Sequence, residues 1–371
     1  MKRLKLLLMA GLVSLSAIPT SWAYLDESSD YQLQATRLAQ LDGIPWGMAW
    51  FDDKTLLITL REGKLLRVDI SNGRISELSG LPAISAKGQG GLLDIYALKV
   101  SDETASTRPF LFTYTKAVTG GDTTVLALAL VGESGISRWQ DLVVTDAVSD
   151  TDRHFGSRIS QDSEGNIYFS IGDRGVRENG QRLDTMAAKI LRVTSLNPLN
   201  VETWSYGHRN PQGLAFDSEN QRLWAIEHGP RGGDELNHIE VGNNYGWPLA
   251  SHGKEYWGPL SVGEEHVPGT VAPLKVYTPS IAPSSLLYYQ GDEFPAWQGD
   301  LLAGSLKLTH LNRIIMDENG MPTDQEERLL SEMKERIRSL LIDDAGRLYF
   351  TTDNGNLYRL TRQEWGDIQQ P

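Results

Sequence analysis

Six short stretches of this 371-residue sequence set acid–base and charged side chains among glycines. The richest is Arg153-His154-Phe155-Gly156-Ser157-Arg158, followed by Ile171-Gly172-Asp173-Arg174-Gly175. His154 opens an apolar hairpin pattern and Asp173 lies just past its return strand. A hairpin would bring the two together, so that the carboxylate accepts from one imidazole nitrogen and leaves the other as a base. A surface histidine beside an unrelated turn aspartate is the plainer reading of the same residues. In Trp204 to Gly213, Arg209 and Asn210 precede Pro211, which fixes an extended backbone. A guanidinium beside an amide suits an anionic oxygen, or a carbonyl becoming one. His208, next to them, is a second candidate base and ranks lower because it has no evident carboxylate partner.

The remaining four stretches point to ligand binding. Three glycines around Gln89 in Lys87 to Asp94 permit close backbone approach. Glu227 to Asn237, continuing into Asn243 to Pro248, is a carbonyl-rich acidic loop of the kind that binds a hard cation through oxygen; a solvated turn is the alternative. Zinc through His228 and His238 fits poorly, with no cysteines and no paired spacing. Lys307 follows Gly304-Ser305-Leu306, and Arg336 and Arg338 would share one face of a strand. Three such cations imply an anion, preferably a planar polycarboxylate that Arg grips with two bonds.

The elements that must position these groups are strands. Period-two alternation dominates and long helical stretches are scarce. An apolar strand, an acidic or Gly turn and a second apolar strand recur six times, with turns near residues 53, 102, 163, 218, 293 and 344. Repeats of roughly 50 to 75 residues match four-stranded propeller blades lengthened by insertions. The fold class is therefore all-β, a six-bladed β-propeller with four-stranded antiparallel blades; a β-sandwich pair is the rival. The longest insertion, about residues 227 to 284, is rich in Gly, His, Tyr, Trp and Pro, as functional loops are.

Composition limits the partners. Lys2, Arg3 and Lys5 precede an apolar run from Leu6 to Ile18 and a Ser21-Trp22-Ala23 end, the layout of a signal peptide over residues 1–23. Residues 24–371 would then form one exported, periplasmic domain with no membrane span. An uncleaved anchor or an ordinary core helix would use the same run differently. There are no cysteines, so packing or metal must replace disulfides. The formal charge is −13, and the expected leader carries three positive charges and no negative one. The acidic remainder argues against nucleic acid and anionic membranes as partners.

Taken together the motifs resemble the soluble pyrroloquinoline quinone (PQQ)-dependent glucose/sorbosone dehydrogenases, especially the bacterial periplasmic aldose sugar dehydrogenases. The likeness rests on Pro45-Trp46-Gly47-Met48-Ala49, Gly88 to Asp94, His154 to Arg158, Tyr206 to Gly213, Glu227 to Glu235 and Phe294 to Gly299, in family order. The resemblance implies oxidation of an aldose at C1 to a lactone, with electrons passed on to an external acceptor. The glucose dehydrogenases carry extra loops for substrate choice and dimer contact; this chain is shorter, so a monomer is expected. The resemblance gives His154 the role of general base and Asp173 that of its orienting partner. Arg209 would steady the quinone oxygen that gains charge. Gln89, Asn210, Tyr256, Lys307, Arg336 and Arg338, with Arg209, would hold PQQ, and Trp257 would border it or the sugar. The carbonyls of Gly229 and Pro230 would ligate a calcium against PQQ; Glu235 and the Tyr245 carbonyl would hold a second. Two departures stand out: Ser339 follows Arg338 where the family usually has an acid, and Gly156-Ser157 replaces a glycine pair. A calcium-dependent propeller lactonase or hydrolase, or a non-catalytic sugar-binding propeller, would use the same scaffold.

Overall fold

The computed structural model describes residues 23–99 and 106–363. The expected leader thus falls outside the described residues except for Ala23, and so does the turn expected near residue 102. The described chain forms six antiparallel sheets, each entered by its innermost strand. Those strands are Pro45–Asp52, Leu92–Ala97, Ile159–Gln161, Pro211–Asp217, Pro283–Tyr288 and Ile337–Ile342, and each touches its counterparts in the neighbouring blades. The result is a six-bladed propeller, numbered here as blades 1 to 6 in that order. The five other expected turns all join the first and second strands of a blade.

Blades 1 to 5 are four-stranded, as the repeat predicts. Blade 6 departs from it, with five strands. Its last C-terminal strand, Asn356–Arg362, pairs with Gln32–Gln40, which in turn pairs with Ala23–Glu27. The N-terminal part of the chain thereby closes the ring, by sharing its strands with the blade that the C-terminal strands build.

Second strands such as Thr55–Leu60, Thr-Leu-Leu-Ile-Thr-Leu, are buried throughout because both faces of a blade are covered by neighbours. The core is accordingly a set of inter-blade layers: Ala49, Phe51 and Leu57 of blade 1 meet Phe110, Phe112 and Tyr114 of blade 2. Gly91, at the entry to blade 2, has φ +152°, and a Cβ there would lie 1.8 Å from the Arg61 carbonyl oxygen. Glycine is required for that close approach.

One side chain ties all six innermost elements together. Arg158 of blade 3 is buried and donates from Nε to the Gln212 carbonyl of blade 4 at 2.8 Å. Its Nη1 donates to the Trp46 carbonyl of blade 1 at 3.0 Å and to Asp94 Oδ1 of blade 2 at 3.2 Å. Its Nη2 donates to the carbonyls of Ser284 in blade 5 and Arg338 in blade 6. This guanidinium sits among residues that flank the predicted site, and it fixes their relative positions.

Candidate functional site

The blade 3 hairpin, with Ile159 paired to Phe169, brings the predicted acid–base pair together. His154 Nδ1 lies 2.7 Å from Asp173 Oδ1. The carboxylate can only accept, so Nδ1 carries the proton and Nε2 remains an acceptor without a partner among the described residues. Asp173 is held in place by two further donors: the Gly175 N–H to Oδ1 at 2.7 Å and the Trp247 indole N–H to Oδ2 at 2.8 Å. Burial holds the His154 pKa below its ordinary value, helped by the nearby Arg209 charge and opposed by Asp173. Burial alone would raise Asp173, but its bond to His154 and the charges around it keep it low. The pair is a neutral imidazole backed by an ionised carboxylate.

The extended Arg209-Asn210-Pro211 segment lies against this pair. The Asp173 N–H donates to the Arg209 carbonyl at 2.8 Å, and the Gly156 N–H donates to Asn210 Oδ1 at 3.1 Å. Arg209 is buried, packs over the Trp247 ring, and donates to the His228 carbonyl and to the Tyr256 hydroxyl. The His154 N–H donates to Gln89 Oε1 at 2.8 Å, so Gln89 borders the base as expected.

Gln89, Asn210, Arg336 and Arg338 line one cavity of about 340 Å³, together with Trp46, Phe155 and His228. That volume is ordinary for a small-molecule site. Arg336 and Arg338 reach the same carboxylate, Asp353, at 2.7 Å from each Nε, with a further bond from Arg338 at 2.9 Å. Two cations thus share one anion, and the buried Trp46 indole N–H beside them has no partner among the described residues. Surplus positive charge and an unmet donor suit a flat anionic ligand, so the lining fits PQQ. Lys307 is exposed and does not line the cavity; its neighbour Leu306 does, and the Leu306 carbonyl accepts from Arg336. Asp353 was not singled out by sequence reasoning. It supplies the acid that Ser339 lacks, and the pairing of Ile337 with Thr352 is what sets it opposite Arg336. Two larger hollows, on blades 1 and 2, contain none of the predicted residues and are edged by ion pairs such as Arg67–Glu133 and Lys116–Asp141.

His228 is the shared wall between this cavity and a small adjoining one lined by Arg209, Glu227, Gly229, Glu235 and Tyr245. Its Nε2 lies 2.6 Å from the Pro283 carbonyl, and burial lowers its pKa to about 4, so it is a neutral donor there. Glu235 is directly opposite Glu227 across paired strands, and its carboxylate accepts from the Asn237 amide at a long 3.5 Å. Burial, reinforced by Glu227, drives its pKa well up. A cation between the two would relieve that. No group of three or more His, Asp or Glu side chains converges on a metal position among the described residues. A calcium here would therefore draw largely on carbonyls, which is the donor chemistry expected of Gly229, Pro230 and Tyr245. The Pro230 carbonyl accepts from the Tyr256 hydroxyl at 3.2 Å, which ties Tyr256 to both Arg209 and this loop. Trp257, beside it, is exposed.

The expectation for His208 needs correction. It does have a carboxylate partner: Nδ1 lies 2.9 Å from Glu227 Oε1 and Nε2 lies 2.8 Å from Ser205 Oγ. It is nonetheless no base for a substrate, because it is wholly buried and both ring nitrogens are engaged.

Comparison with known proteins places the whole chain rather than its site. A family model described as glucose/sorbosone dehydrogenase matches residues 42–359. Aldose sugar dehydrogenase YliI of Escherichia coli is 35% identical, over 84% of this chain and 88% of that one. Quinoprotein glucose dehydrogenase B of Acinetobacter calcoaceticus is 26% identical over 85% and 84%. The PQQ-bound structure of aldose sugar dehydrogenase from Streptomyces coelicolor superposes with a TM-score of 0.73 at 25% identity, covering 91% of this chain and all of that one.

Proposed function

The chain belongs to the glucose/sorbosone dehydrogenase family, and on that premise we propose that it is a PQQ-dependent aldose dehydrogenase of the periplasm. The observation that carries the reading is the buried His154–Asp173 pair, 2.7 Å apart, hydrogen-bonded through the His154 N–H to Gln89, which lines one cavity with Arg336 and Arg338. An aldose would sit with its C1 hydroxyl against His154 Nε2, which takes that proton as the C1–H bond breaks. Asp173 then stabilises the imidazolium that forms. Bound PQQ would supply the two-electron acceptor for the C1 hydride. Arg209 would offer positive charge to the bound acceptor without reorganising, because Trp247, Tyr256 and the His228 carbonyl already fix it. Arg336, Arg338, Asn210 and Gln89 would hold the cofactor, and Lys307 would reach it from its exposed position next to Leu306. Calcium at the Gly229 and Pro230 carbonyls, and a second ion at Glu235 and Tyr245, would offset the acidic loop. The product is a lactone, and the electron pair leaves to an external acceptor from a monomeric enzyme.

The test is to add PQQ and calcium to the apo-protein, record the quinone spectrum, and follow dye reduction with several aldoses. Quinone uptake and lactone formation are expected; absence of both rejects the reading. His154→Ala should abolish turnover while PQQ stays bound.

A further inference from the structure

The buried His208 and Glu227 are not used by the chemistry above, yet they have the geometry of a hydrolytic triad with Ser205. The Ser205 Oγ to His208 Nε2 distance is 2.8 Å and His208 Nδ1 to Glu227 Oε1 is 2.9 Å. Burial excludes nucleophilic work: Ser205 and His208 have no exposed surface. The imidazole also stacks on Tyr245, ring centroids 4.9 Å apart, which prevents it from swinging out.

The free end of this chain of bonds shows what it acts on. Glu227 Oε2 accepts the backbone N–H of Arg209 at 2.7 Å and that of Asn210 at 3.3 Å. Neither N–H belongs to a strand ladder, since the innermost strand of blade 4 begins at Pro211. The same two residues carry the contacts that arrange the site: the Arg209 carbonyl accepts from the Asp173 N–H, and Asn210 Oδ1 accepts from the Gly156 N–H. With Oε1 held by His208, the Glu227 carboxylate has one orientation, and Oε2 faces both N–H groups.

We infer that Ser205, His208 and Glu227 form a positioning relay that sets the Arg209-Asn210 segment relative to His154 and Asp173. The inference rests on the proposed function for the role of Arg209, but not for the relay itself. The Glu227 carboxylate can only accept, so His208 Nδ1–H donates to it, and Nε2 is engaged by the Ser205 hydroxyl, so both ring nitrogens of the relay have partners. Losing it would leave two buried N–H groups under a carboxylate free to turn. The shift that follows is small, but displacement of a catalytic group by ~1 Å costs on the order of 100-fold in rate.

Two readouts separate the possibilities, using His208→Leu, Glu227→Gln and, as the conservative variant, His208→Asn, whose amide can donate from the place of Nδ1. The first is hydrogen–deuterium exchange of the peptide spanning 205–213 in apo-protein well below its melting temperature, which needs neither PQQ nor activity. Selective loss of protection there is expected in His208→Leu and Glu227→Gln, with most of it restored in His208→Asn. The second is the kinetics of PQQ-loaded protein: kcat is expected to fall roughly 10- to 100-fold in the first two variants. Over the same variants, KM for the aldose should change less than about threefold, because Arg209 acts in the transition state; kcat is read at saturating PQQ, since Asn210 lines the cofactor cavity and moves with the same segment. Unchanged exchange in that peptide overturns the relay. A drop in melting temperature with unaltered kcat overturns its link to catalysis, as does kcat loss that merely tracks PQQ loss. Should the unmodified protein take up no PQQ and oxidise no aldose, the proposed function fails, while the exchange measurement still decides the relay.

Discussion

Asp173→Asn is the substitution whose outcome the geometry constrains most closely. The Asp173 carboxylate accepts three hydrogen bonds among the described residues: from His154 Nδ1–H and the Gly175 N–H at Oδ1, and from the Trp247 indole at Oδ2. An amide has one oxygen and one NH2, so it cannot satisfy three donors arranged on both sides. With its oxygen toward His154, the NH2 points at the indole N–H and two donors face each other. With its NH2 toward His154, the imidazole must take the other tautomer, and Nε2 then carries a proton and cannot accept one. In the first arrangement His154 remains a base but loses its charged partner, and a hydrogen bond to a charged group contributes about 1.5–3 kcal/mol. At about 1.4 kcal/mol per tenfold in rate, that is roughly a 10- to 150-fold fall in kcat, and more if the second arrangement dominates. PQQ affinity should barely change, because Asp173 does not line the cofactor cavity. The assay is dye-linked aldose oxidation by PQQ-loaded protein, with PQQ occupancy measured by absorbance on the same samples. A kcat within about threefold of the unmodified protein at full occupancy would refute the tautomer argument.

Two further outcomes follow from the same geometry. The His154 base must be neutral to accept a proton, and burial holds its pKa below the ordinary 6.5. A profile of kcat/KM against pH should therefore be flat near neutrality and decline only as pH falls through a value under 6.5. In Asp173→Asn, where the attraction that favours the imidazolium is gone, that decline should move lower still. Arg158→Met should be severely destabilising, by about 3–5 kcal/mol, since it leaves buried Asp94 without its cation. Urea unfolding would measure it, and the double variant with Asp94→Leu should recover part of the loss.

The strand repeats, the five turns that fall within the described residues and the His154 to Asp173 pairing are all legible without coordinates, because a hairpin is a local object whose ends meet by construction. The Gln89, Asn210, Arg336 and Arg338 groups were legible as residue types, but their shared cavity required the ring to close. Closure itself was not visible: Gln32–Gln40 joins Asn356–Arg362 across more than 300 positions of sequence, and nothing in either segment names the other. His208 was ranked low for want of a carboxylate, since Glu227 stands on the next strand and reaches it only through the Pro211–Glu227 pairing. Asp353 and Trp247 were missed for a similar reason, as each acts on a residue from a separate strand or blade loop.

By itself the sequence determined the β repeat, the family and the chemistry its side chains can perform, all of which are properties of short stretches. Only the tertiary structure decided which of those side chains share a cavity, which are buried in relays, and which charges are already paired. Those are questions of distance across blades. A hydrogen bond, unlike an alternating pattern, exists only once both partners have been brought within about 3 Å of each other.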